Sequence, residues 1–243
     1  MHIIKLNATE STNSYLRQLY SEIDLGNFTV VTTENQLKGR GQMGAVWESQ
    51  KYKNLTFSTF IKGLNIKVEH KFYLSIVTSL AILEALKPLN LKQLHIKWPN
   101  DILAEGQKIG GILIENMLKK QIIESSIIGI GINVNQLNFE GLPKASSLKK
   151  ITGIHYELDV LLSSILKEME NVFLKLDTRD FSLLKSKYEL SLFRLNKPST
   201  FEDTINKRFT AYIQGISNQG KLLLLMEDNI LKAFDFKEVK LLY

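Results

Sequence analysis

A glycine-rich stretch between two β-branched runs constrains this chain more than any other feature. Gly39-Arg40-Gly41-Gln42-Met43-Gly44, with Trp47 three residues on, matches the dinucleotide pattern G-x-G-x-x-G letter for letter. That pattern binds a pyrophosphate only when a strand precedes it and a helix opens on it. Residues 28–33 supply the strand. Residues 47–54 carry no helical apolar stripe, and residues 55–60 (Leu-Thr-Phe-Ser-Thr-Phe) read as a second strand. A P-loop is excluded as well, because Ala45-Val46 stand where Lys and Ser/Thr are required. The stretch is therefore a strand-to-strand loop with one arginine and one tryptophan. Such a loop can wrap an anion with backbone N–H groups, or it can be an ordinary connection.

The surrounding pattern predicts an α+β chain: a mixed sheet with helices packed against one face. Ser11 or Thr12 can cap a short helix with Tyr15, Leu16, Leu19 and Tyr20 on its apolar side. Residues 71–87 are apolar nearly all round, so that helix should be central, and Pro88 stops it. Residues 95–135 read as short strands at 95–98, 102–104, 108–115 and 121–133, with Glu105-Gly106 suited to a tight hairpin. Helices follow at 158–177 and about 181–190. Beyond Asn196-Lys197-Pro198 only strands and turns remain, at 209–216, 222–226, 230–234 and 239–241. The expected division is 1–193 for a large domain and 194–243 for a small β-domain, which has too little core to stand alone.

Composition narrows the chemistry. The chain has 243 residues and no cysteine, which excludes disulfides and thiol catalysis and leaves four scattered histidines as soft metal ligands. No metal site is expected. No apolar run reaches membrane-span length, the N-terminus lacks a signal-peptide layout, and a cytoplasmic location is expected. The net charge of +6 comes from dispersed lysines rather than a basic arm, so neither a nucleic-acid nor a membrane partner is expected. A modest positive field would draw in anionic ligands.

Four further blocks accompany the loop: Ser11-Thr12-Asn13, Lys97-Trp98-Pro99-Asn100-Asp101, Lys108-Ile109-Gly110-Gly111-Ile112-Leu113-Ile114-Glu115, and Ile128-Gly129-Ile130-Gly131-Ile132-Asn133-Val134-Asn135. In this order the five blocks resemble the biotin protein ligases over residues 9–135, with a weaker match to the C-terminus. The resemblance implies an enzyme that activates biotin with ATP to biotinyl-5'-AMP and passes biotin to a lysine of a biotin carboxyl carrier domain of a biotin-dependent carboxylase. It implies an SH3-like C-terminal domain, biotin and ATP as substrates, and Mg²⁺ entering with ATP. Both reacting groups are anions, so cations and oriented donors must stand where charge develops. Arg40 and Lys97 are the catalytic candidates. Ser11, Thr12, Asn13, Gln36, Arg40, Gly41, Gln42, Lys97, Gly110 and Gly111 correspond to the biotin-binding positions. Arg40, Trp47, Lys97 and Asn133 correspond to the adenylate-binding ones. Each also has a plainer reading: Ser11 and Thr12 as helix caps, Gly110-Gly111 as a β-bulge, Trp47 as a core anchor, Lys97 as an exposed strand lysine. No histidine or carboxylate pair stands out as a general base, which fits catalysis by positioning.

The family loop commonly reads G-R-G-R-R-G-R-x-W. Gln42, Met43 and Ala45 replace three of its arginines, so the loop here is less cationic. The short stretch before Ser11 has no room for the helix-turn-helix of some bacterial members, so a repressor role is not expected. A homodimer through the sheet edge is compatible with the family. A lipoate–protein ligase of the same fold, and a non-catalytic biotin-binding module, remain the alternatives.

Overall fold

The structure, a computed structural model, describes residues 1–177 and 180–243. The elements run β1 (His2–Leu6), α1 (Thr12–Glu22), β2 (Thr29–Thr33), β3 (Leu55–Lys67), α2 (Phe72–Leu86), β4 (His95–Lys97), β5 (Asp101–Ala104), β6 (Gln107–Lys119) and β7 (Ile122–Ile132). They continue with α3 (Leu148–Thr152), α4 (Leu158–Asp177), α5 (Phe181–Leu190), β8 (Pro198–Asp203), β9 (Arg208–Ile216), β10 (Leu222–Met226), β11 (Leu231–Phe234) and β12 (Val239–Leu242). Seven strands form a mixed sheet in the order β1-β2-β3-β7-β6-β5-β4, parallel only at β1-β2. The last five strands form an antiparallel sheet, β11-β10-β9-β8-β12.

Local rules account for most boundaries. Ser11 caps α1, its hydroxyl accepting the Ser14 N–H at 3.4 Å. Glu105 and Gly106 both take positive φ in the β5-β6 turn, as a two-residue hairpin requires. Three elements escape the sequence pattern: β1, β8 and the short helix α3. β8 opens on Pro198 and carries a single large apolar residue, Phe201, and α3 spans only five residues.

Strand alternation gives the large sheet two different faces, so helices cover both and not one as the sequence reading expected. Val30, Phe57, Ile61, Ile128 and Ile132 point into the main core beneath α2 and α4. Val31, Phe60 and Ile127 point the other way and pack on Leu16 of α1 and on Leu25. The expectation about membrane-length runs also needs amending. The helical run Val68–Leu89, α2 with its flanking 3₁₀ turns, is long and apolar enough to cross a membrane by length and composition. Two-thirds of its most apolar window is buried inside the molecule, which identifies it as the core helix.

The two sheets meet at the turn before β10 and at the end of α5. The Trp98 indole N–H donates to the Gly220 carbonyl at 2.9 Å, the Tyr188 hydroxyl to the Pro99 carbonyl at 3.1 Å, and the Ile216 N–H to Glu189 Oε1 at 2.8 Å. Burial, with Asp101 as the lesser cause, pushes the Tyr188 phenol far above its ordinary value, so it serves as a neutral donor.

Candidate active site

On the α1 side of the large sheet, register aligns one residue from each of six strands: Thr33, Thr56, Gly131, Gly111, Asp101 and Lys97. The neighbouring row holds Ser58, Gly129 and Leu113. Glycines alternate with isoleucines along β7, so the isoleucines fill the core and the glycines leave a trench. Other groups descend into it. A Cβ on Gly129 would stand 2.3 Å from Asn13 Oδ1, and one on Gly131 2.4 Å from the Trp47 ring. The resulting cavity of about 200 Å³ is lined by Ser11, Thr12, Asn13, Gln36, Arg40, Gly41 and Gln42, with Gly111, Lys108 and Asp101 on its floor.

The α1 end of the trench is a polar network suited to a neutral ligand rich in donors and acceptors. Gln36 Oε1 accepts the Thr12 N–H at 3.0 Å. The fully buried Ser58 hydroxyl lies 2.6 Å from Thr12 Oγ1 and 2.5 Å from Asn13 Oδ1. One hydroxyl proton serves only one of these acceptors, which leaves acceptor capacity for a ligand. Asn13 Nδ2 donates to Glu115 Oε2 at 2.7 Å.

Two carboxylates organise the cations. Glu115 holds Arg17 and Arg40, each at 3.3 Å. Asp101 holds Lys97 at 3.0 Å and Lys108 at 2.5 Å. The loop carrying Arg40 is a small hairpin rather than a free excursion. Gly41 N–H donates to the Ala45 carbonyl at 2.6 Å and Trp47 N–H to the Gly39 carbonyl at 3.0 Å, with Met43 at positive φ in the tip.

A second cavity of about 470 Å³ adjoins the first. Val46, Trp47 and Lys108 line both. Asn133, Phe139, Leu142, Lys144 and Tyr243 line the second alone. The Trp47 indole N–H is buried between them without a partner among the described residues. Burial first, and Asp101 second, push the Tyr243 phenol up to about 12, so its ring is neutral at physiological pH.

Ser11, Thr12, Asn13, Gln36, Arg40, Gly41, Gln42 and Gly111 thus lie around the first cavity, and Trp47 and Asn133 around the second. Lys97 stands behind Asp101 and does not line the first cavity. Gly110 points the other way: its Cβ would meet Ile132 at 2.6 Å, so its smallness serves the core. A bulge does sit here, between Ile102 and Leu103 of β5 and the Lys108–Gly110 stretch opposite. Asn133 donates its amide to the Ser146 carbonyl at 3.0 Å and so also fixes the loop after β7. Sequence reasoning passed over Ser58, Asp101, Lys108 and Glu115. The last three lie inside the recognised blocks, but their pairing depends on cross-strand register.

The model of the biotin/lipoate A/B protein ligase family matches residues 6–133. The bifunctional ligase/repressor BirA of Bacillus subtilis is 30% identical over 237 residues, covering 96% of this chain and 72% of its own. Biotin–protein ligase 2 of Arabidopsis thaliana is 29% identical over 252 residues, covering 93% and 72%. Among solved structures, the biotin protein ligase of Aquifex aeolicus in complex with biotin and ATP superposes with a TM-score of 0.82 at 29% identity, covering 99% of this chain and 98% of that one.

Proposed function

Because the chain belongs to the biotin/lipoate A/B protein ligase family, we propose that it is a biotin–protein ligase. It joins the biotin carboxylate to the α-phosphate of ATP, releasing pyrophosphate, and then transfers biotin from the adenylate to a lysine amine of a carrier protein, releasing AMP. The observation that carries this reading is the pair of adjoining cavities. A polar, glycine-floored one suits the ureido ring, a larger one suits the nucleotide, and Trp47 and Lys108 stand at their junction. The Arabidopsis and Aquifex relatives are biotin protein ligases, which favours biotin over lipoate.

The residue roles follow from chemistry. Ser11, Thr12, Asn13 and Gln36 bind the biotin head group, with Ser58 as the buried relay behind them. Arg40 leaves Glu115 to clamp the reacting anions as a fork. Lys97 and Lys108, held by Asp101, place positive charge where the carboxylate meets the α-phosphate. Trp47 covers the junction and offers its unpartnered N–H to the adenylate. Gly41 and Gln42 close the loop over biotin, and Asn133 supports the nucleotide side. Mg²⁺ enters as part of the ATP substrate. The finer reading adds a carboxylase carrier domain as acceptor, a cytoplasmic location, pairing of two copies through the sheet edge, and a division at residue 193/194.

Biotin-dependent ATP–pyrophosphate exchange tests the reading. Exchange with biotin is expected; exchange with lipoate alone would overturn it.

A further inference from the structure

The glycine loop between residues 39 and 47 carries one cation, Arg40, and that guanidinium already faces Glu115. Lys108 on the floor and Lys97 behind it share the single carboxylate of Asp101. ATP and the departing pyrophosphate bring several negative charges, so these groups leave the polyphosphate end short of positive charge. The opposite wall of the second cavity supplies it. Lys144, in the loop after β7, lies with its ammonium 4.0 Å from the centre of the Tyr243 ring. The Lys97 ammonium lies 5.5 Å from the same ring. One neutral aromatic ring therefore lies against two cations without cancelling the charge of either. Lys144 pairs with no carboxylate among the described residues. Its backbone is pinned, the carbonyl accepting the Lys108 N–H at 2.7 Å, so only the side chain is free to follow a ligand. Glu48, Glu140 and Lys240 also line this cavity.

The geometry points to Lys144 as a residue that binds the β- and γ-phosphates of ATP and the pyrophosphate product, with Tyr243 as the positioning residue that aims it. This assignment rests on the ATP-dependent reading above. It gives β12, through the residue that follows it, a direct part in nucleotide binding.

Steady-state adenylation by the full chain tests it, using Lys144→Ala, Lys144→Arg, Tyr243→Leu and Tyr243→Phe. The Lys144 side chain is exposed, so its truncation leaves the packing intact. Lys144→Ala should raise KM for ATP and weaken pyrophosphate inhibition together, each about tenfold, as loss of one charge-assisted contact predicts. KM for biotin and the affinity for AMP should stay within about twofold. Arginine should restore both affected constants. Tyr243→Phe should behave as wild type and Tyr243→Leu should approach Lys144→Ala. Unchanged ATP and pyrophosphate constants in Lys144→Ala would overturn the assignment while leaving the ligase reading intact. Equal losses for AMP and pyrophosphate would also overturn it, since Lys144 would then touch the nucleoside. Absence of biotin-dependent exchange in the wild-type chain would overturn the ligase reading itself, and this assignment with it.

Discussion

The two faces of β7 are built from one run of sequence and answer different needs. Toward α2 and α4 the strand presents Ile128, Ile130 and Ile132, all but fully buried. Toward α1 and the glycine loop it presents Gly129 and Gly131, whose missing side chains are replaced by Asn13 and Trp47 from elsewhere in the chain. One face gains stability by filling space. The other gains a binding site by leaving space that only side chains from outside the strand enter. A substitution on either face should therefore show up in a different measurement, and that separation can be broken deliberately.

The largest effect is expected from Lys97→Ala, in the same row as Gly131. Loss of a charge opposite two reacting anions should lower adenylate formation by about 10²–10³-fold. The lysine is part-buried at a strand end, so the melting temperature should move little. A folded variant with near-normal turnover would remove Lys97 from the chemistry. Gly131→Ala comes next. Its methyl would occupy the place of the Trp47 ring, and a displaced cover should reduce exchange by about 10²-fold. If exchange survives while Trp47 fluorescence is unchanged, the trench is wider than described. Ile128→Ala attacks the other face. It should cost about 2–5 kcal/mol in denaturant unfolding while exchange per folded molecule persists. Loss of activity without loss of stability would collapse the distinction between the faces.

The smallest expected effect is at the trench mouth. Gln42 lines the first cavity with a neutral side chain. Gln42→Arg adds a charge-assisted contact, roughly twice as strong as a neutral one. It should slow escape of biotinyl-adenylate severalfold in a dissociation assay. An unchanged or faster rate would show that this position is indifferent to charge.

Features set within a few residues were legible in the sequence. The cap at Ser11 or Thr12, resolved as Ser11, the all-round apolar helix α2 and the Glu105-Gly106 turn each follow from near neighbours, and each stands where the pattern put it. The strand-to-strand nature of the glycine loop was legible for the same reason. Features set by register were not. Only the pairing of Asp101 with Gly111 brings Asp101 beside the cavity floor, and only the fold brings Glu115 within reach of Arg17 and Arg40. Gly110 and Gly111 look alike in sequence, yet strand alternation sends one to the core and the other to the site. Helix placement on both faces was missed because β2 reads Thr-Val-Val-Thr-Thr, with no polar face to mark a solvent side.

The chain's two tryptophans offer separate optical windows on two events. Trp47 sits at the junction of the cavities, with its indole N–H buried and without a partner among the described residues. Trp98 sits within three sequence positions of Lys97, Asn100 and Asp101, but its indole turns away from them to the Gly220 carbonyl in the turn before β10. With Trp98 replaced, the remaining emission follows ligand arrival. With Trp47 replaced, it follows the seating of the small sheet against the large one. A denaturant titration read through each in turn would show whether the small sheet lifts away before the site loses its ligand or the two part together. The segment carrying Lys97 and Asp101 is held at both ends by strand pairing and between them by that indole, so Trp98 watches the anchor of the cavity floor while Trp47 watches its cover.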